Sequence, residues 1–127
     1  MKHKLVSLGA ANAFIAVAAG AFGAHWLKAK IPADRLAIWE TAAHYHLIHA
    51  LALVVLGALI TKVAPNRTEW IGRLFLGGIV LFSGSLYVLA ISGIKVLGAV
   101  TPFGGVCFLS AWTLLAVSAW KGRSDPE

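Results

Sequence analysis

Apolar positions run almost without interruption through four stretches of the chain: Leu5 to Ala24, Thr41 to Thr61, Leu74 to Gly93 and Val96 to Trp120. Each is about as long as the roughly 20 residues that cross the hydrocarbon of a bilayer. Apart from histidine, none contains an ionisable side chain of the charged types. Backbone groups inside lipid must be satisfied within the segment, so such stretches are helices. The pattern predicts an all-α fold, an integral membrane bundle of four transmembrane helices, as one domain over residues 1–127.

The polar intervals predict short connections. Residues 62–70 carry Pro65-Asn66, a turn signal, and residues 93–95 barely make a loop. The longest interval, His25 to Glu40, contains Pro32, which suits the first turn of a helix. Helix two is therefore expected to begin near Ala33 and to lie partly in the interface before it dives. The first apolar stretch imitates a signal peptide, but it is longer than a signal core of roughly 7–15 residues. His25-Trp26 with Lys28 and Lys30 reads instead as an interfacial anchor.

Composition excludes a soluble domain. The chain is 59% hydrophobic and 13% charged, where ordinary domains carry roughly a quarter charged residues. One cysteine, Cys107, allows neither an intrachain disulfide nor a multi-cysteine metal site. The net charge of +6 belongs to residues flanking apolar runs, so membrane lipids are the expected partners and nucleic acid is not. Lys2, Lys4, Lys62, Arg67, Arg73, Lys121 and Arg123 fall on one side of the membrane; Lys28, Lys30, Arg35 and Lys95 fall on the other. This bias predicts that both termini are cytoplasmic.

That orientation brings unusual residues to one depth in the outer half. They are His25 at the end of helix one, His44, His46 and His49 on helix two, "FSGSLY" on helix three and "TPFGG" on helix four. The expected polar pocket comprises His25, His46, His49, Ser83, Ser85, Tyr87 and Thr101. At about 100° per residue, His46 and His49 lie about 60° apart, while Glu40 and His44 share another face as an interfacial ion pair. His49 is the deepest histidine. It is expected to be neutral and to bond Ser83, Ser85 or Tyr87, with His44 and His46 mattering less. Zinc held by His25, His46 and His49 is the weaker alternative, because histidines three apart without a fixed third ligand are a poor signal. Haem fits worse, since helices three and four carry no histidine. No cofactor or metal is expected. Asn12 is expected to bond another helix, and Tyr87 and Trp112 read as belt aromatics. Small residues, among them Gly20, Gly23, Gly84, Gly104 and Gly105, predict close helix packing.

The segments "GAFGAH", "YHLIHAL", "FSGSLY", "TPFGG" and "FLSAW" resemble, in order and over essentially the whole chain, a family of small bacterial inner-membrane proteins. It is the family known as domain of unknown function 423. The resemblance implies the four-helix topology and an inner-membrane location, and it carries no established activity. His25 and His49 match the family motifs, whereas the His46 position often carries glutamine there, which argues against a multi-histidine metal site. No span contains a carboxylate and no nucleophile has an evident base, so a non-enzymatic membrane protein is expected. Binding or transport of a small molecule or lipid at the polar pocket stands slightly ahead of assembly with other membrane proteins. A histidine-dependent metalloenzyme is a distant third. The small-residue ridges exceed what four helices need for their own packing, so a homo-oligomer is expected.

Overall fold

Two prolines and one glycine punctuate an otherwise helical chain. The computed structural model describes residues 1–122, so Arg123, counted above in the charge bias, lies outside the described residues. Helix α1 covers Lys2–His25 and is followed by a short 3-10 turn, Leu27–Ala29. Pro32 is extended and caps α2, Ala33–Ala58. Pro65 occupies the first turn of α3, Pro65–Gly78, where its missing N–H costs nothing. The chain then passes through a π-helical turn, Ile79–Gly84, into α4, Ser85–Ser92. Gly93 stops α4 in the left-handed conformation at φ 71°, the usual glycine ending of a helix. A 3-10 segment, Lys95–Ala99, leads into α5, Thr101–Lys121.

Four spans result among the described residues: Lys2–Ala29, Ala33–Ala58, Pro65–Ser92 and Lys95–Lys121. Each is long and apolar enough to cross a bilayer. Helix two begins at Ala33, as Pro32 implies. The interval 62–70, expected as a connection, is mostly helix, because Pro65 starts α3 rather than turning the chain away from it. The third span is consequently two turns longer than its apolar run.

The bundle is layered rather than square. The second and third spans bury 50% and 39% of their apolar windows, the first and fourth only 17% each. The first span therefore flanks the second, and the fourth flanks the third. At the end of the bundle that holds the N-terminus the core is plainly apolar, with Leu5, Leu53, Leu56, Ile71 and Phe75 buried together. Towards the opposite end the core becomes polar and aromatic.

The α1–α2 contact is built on small residues. Gly9, Ala16 and Gly23 are the buried positions along α1 beyond Leu5, a seven-residue spacing in place of the four-residue ridges expected from "AAGAFGA". A Cβ on Gly9 would stand 2.7 Å from the Ala50 carbonyl oxygen, and one on Gly57 would stand 2.7 Å from a Val6 methyl. Only glycine permits this approach.

Candidate functional site

Three spans are joined by one directional chain of hydrogen bonds. The Asn12 amide nitrogen donates to the Leu8 carbonyl of its own helix at 2.9 Å, which turns its oxygen towards α2. His46 Nε2 lies 2.9 Å from that oxygen, and His46 Nδ1 lies 3.0 Å from the Tyr87 hydroxyl. An amide oxygen only accepts, so Nε2 carries the proton and donates. A neutral ring then accepts at Nδ1 from the tyrosine O–H. His46 is buried, at 4% exposure. Its depth has a simple cause. Because α2 starts at Ala33, His46 lies about 20 Å along it at 1.5 Å per residue. That is the middle of the helix.

Two further contacts stitch the same spans nearer the end opposite the termini. The Trp39 indole N–H donates to the Ala19 carbonyl at 2.8 Å, and its ring sits 4.6 Å from that of Tyr87. Arg35 donates from Nε to the Ala90 carbonyl at 2.8 Å and from Nη2 to the Ile91 carbonyl at 2.7 Å. The last turn of a helix leaves such carbonyls without partners and carries negative partial charge, so a guanidinium suits both needs.

His49 is bonded elsewhere than expected. Its Nδ1 lies 2.7 Å from the Tyr45 carbonyl oxygen, and the Trp112 indole N–H donates to Nε2 at 3.0 Å. The expected partners Ser83, Ser85 and Tyr87 are not bonded to it. A carbonyl requires a proton on Nδ1, and an indole N–H requires a lone pair on Nε2. The ring is thereby held neutral, in the tautomer opposite to that of His46. It stacks on Phe108 at 3.5 Å with the planes 7° apart, and Gly78 makes room for that phenyl ring. His49 thus ties the second span to the fourth, while His46 ties it to the first and third. His46, expected nearer the interface, is as buried as His49 and has a partner on each ring nitrogen.

The serines serve backbone. Ser83, inside the π-helical turn, donates to the Ala42 carbonyl at 2.8 Å. Ser85 donates to the Phe82 carbonyl at 3.0 Å and lies 2.7 Å from the Thr101 hydroxyl, which joins the third and fourth spans. Neither serine bonds a histidine, so no nucleophile–base pair is assembled there. His25 is exposed at the end of α1, apart from the other pocket residues. Among the described residues no three His, Cys, Asp or Glu side chains converge on a point, so His25, His46 and His49 do not form a zinc site. His44 and Glu40 are exposed, and among the described residues the only ion pair is Glu69–Arg73 at 2.6 Å. The expected Glu40–His44 pair is absent because their helix-surface position leaves both side chains to solvent or headgroups.

Of the expected packing glycines, Gly104 and Gly23 touch neighbours: the first meets the backbone of Leu81 and Phe82, the second the Trp39 ring. Gly20 faces open space, and Gly84 and Gly105 have nothing closer than ordinary contact. Trp39, Arg35 and Trp112 were not marked by the sequence as bonding residues. Phe108 and Trp112, four apart on one face of α5, were the available signal for the last. Asn12, expected to bond another helix, bonds His46.

This arrangement is a bonded polar seam, and among the described residues the clefts lined by residues 1–8 with 72–76, by 59–63, by 106–117 and by 13–21 lie away from it. Nitrogen NMR of histidine-labelled protein in detergent should find His46 protonated at Nε2 and His49 at Nδ1, both neutral at pH 7. The same tautomer on both rings would contradict the bonding described.

The chain matches the family model described as a protein of unknown function (DUF423) over residues 19–105. It is 48% identical over 117 residues to the UPF0382 membrane protein YwdK of Bacillus subtilis, covering 91% of this chain and 95% of that one. It is 45% identical over 116 residues to the UPF0382 membrane protein SSP2132 of Staphylococcus saprophyticus, covering 91% and 96%. The UPF0382 membrane protein SAB0533 of Staphylococcus aureus is 46% identical, with 91% and 94% covered. No solved structure matches this chain.

Proposed function

Because the chain belongs to the DUF423 family of membrane proteins, we propose that it acts as a non-catalytic assembly module of the bacterial inner membrane. One observation carries this reading: His46, His49, Ser83, Ser85, Tyr87 and Thr101 are each bonded to other groups of the chain. Such bonding fixes helices relative to one another and leaves their outer faces as the working surface. Both termini are cytoplasmic in this reading. The excess of lysine and arginine on the side of the termini supports this orientation.

The partner proposed is a second copy, seated on the outer face of α1. A shallow cleft of about 420 Å³ there is lined by Ala13, Phe14, Val17, Ala18 and Ala21, and Gly20 is open beside it. Phe14, 77% exposed, is a projecting side chain on the same face as the small-residue hollow. Knob and hole on one surface suit a two-fold contact, in which each copy gives what the other receives. In a Cys107→Ser background, Ala21→Cys should oxidise to a disulfide-linked dimer in vesicles, while Val106→Cys on the far side of the bundle should not. Equal cross-linking at both sites, or a monomeric mass in both detergent and nanodiscs, would reject this reading.

A second reading, binding or transport of a small molecule or lipid, rests on the π-helical turn at Ile79–Gly84. Such turns recur at functional sites, and release of Ser83 from Ala42 would free polar groups inside the bundle. A monomer that retains a co-purifying small molecule, and loses it in Ser83→Ala, would favour that reading instead.

A further inference from the structure

Independently of assembly, we propose that the cleft between α1 and α3 is a binding site for a phospholipid with a net negative headgroup. The cleft holds about 360 Å³, within the roughly 300–1,000 Å³ of ligand sites. Its walls are apolar, from Leu5, Leu8 and Leu76, and its rim carries Lys4 and Arg73. Gly72 lines it as well, so the third span presents backbone rather than a side chain at that level. An amphiphile with an acyl chain along the leucines would place its headgroup at the two cations.

The chemistry at the rim selects an anion. Arg73 gives one N–H to Glu69 and lies over the Trp70 ring at 5.3 Å, leaving other N–H groups to donate. Guanidinium binds phosphate through paired donors, and lysine adds a mobile point charge. Glu69 offsets one positive charge, and Lys4 leaves the rim net positive. Among the described residues Glu69 is the one acidic side chain at this end, since Asp34 and Glu40 lie at the other. Lys2, Lys62, Arg67 and Lys121 lie at the same end of the bundle, so the local field draws anionic lipid to this end before the cleft sorts it. A zwitterionic headgroup would bring its own ammonium against Lys4 and Arg73 and gain less.

Native mass spectrometry of the full chain in a neutral detergent tests this, using phosphatidylglycerol and phosphatidylcholine of equal acyl length. The parent protein should retain the first about tenfold more tightly. Lys4→Gln with Arg73→Gln should bring the two lipids to nearly equal affinity, with phosphatidylcholine binding unchanged as evidence that the variant is folded. Lys62→Gln with Lys121→Gln removes the same charge from the same end outside this cleft and should leave the preference in place. Loss of the preference in that control would show a diffuse surface effect, and its survival in the Lys4/Arg73 variant would place the lipid elsewhere. Either overturns the proposal. So would displacement of phosphatidylglycerol by millimolar inorganic phosphate alone, since the site would then be one for free phosphate.

Discussion

Gly104→Ala is expected to lower stability by about 3 kcal/mol, at the upper end of what overpacking a tight core costs. Helix propensity alone argues the other way, since alanine in place of glycine favours a helix by about 1 kcal/mol. Sterics decide the sign. A methyl at this position would overlap the Phe82 backbone nitrogen severely and stand 2.7 Å from the Leu81 carbonyl carbon. Those are backbone atoms of the π-helical turn, which cannot swing aside as a side chain can. To relieve the contact the fourth span must move off the third, loosening the Ser85–Thr101 bond and the Phe108–His49 stack together. Gly20→Ala has open space around it and should show the propensity gain instead. Gly105→Ala, whose methyl would only reach ordinary contact with Phe82, should show a similar gain. Reversible unfolding of the reconstituted protein in mixed micelles gives all three values. A Gly104→Ala protein as stable as its parent would show that the two helices do not approach as described.

His46→Leu is expected to cost about 2 kcal/mol. Hydrogen bonds between membrane helices average only about 0.6 kcal/mol each, so losing two would amount to little more than 1 kcal/mol. Leucine, however, leaves the Asn12 oxygen and the Tyr87 hydroxyl facing an apolar side chain. Buried groups stripped of a partner add roughly 1–3 kcal/mol, and Asn12 and Tyr87 are both partly buried. The larger figure is therefore the better expectation. His44→Leu, on an exposed face, should be near neutral in the same assay. A double-mutant cycle of His46→Leu with Tyr87→Phe isolates their bond and should return about 0.6 kcal/mol of coupling. If His44→Leu and His46→Leu prove equivalent, the seam does not hold these spans together.

The histidines show where sequence reasoning stopped. Their presence on one stretch of helix two was plain, and helical spacing separated His44 from His46 and His49 correctly. The sequence places His46 nearer the interface than His49, whereas in the folded chain both are buried and His46 stands halfway along α2, bonded at both ring nitrogens. The hydroxyl groups clustered on the third span make it the natural place to look for the partner of His49. In the folded chain Ser83 and Ser85 donate to backbone carbonyls, the Tyr87 hydroxyl bonds His46, and the indole of Trp112 takes their place. A tryptophan that reads as a belt residue can do both, since Trp112 is 42% exposed and still donates inward.

The four helices, the class of the protein and the helix boundaries at Pro32 and Gly93 were determined by the sequence alone. The reason is that each is local. Apolar length matches bilayer thickness, backbone groups in lipid must bond within their own segment, and proline and glycine act on their own dihedral angles. Which glycine meets a backbone, which histidine spans three helices and whether polar groups enclose a cavity or bond one another were decided only by the tertiary structure. Those outcomes depend on the rotation and depth of one helix against another. A rotation of about 100°, one residue's worth, would turn His46 away from Asn12 and Gly104 away from Phe82, and nothing in the order of residues reports that angle.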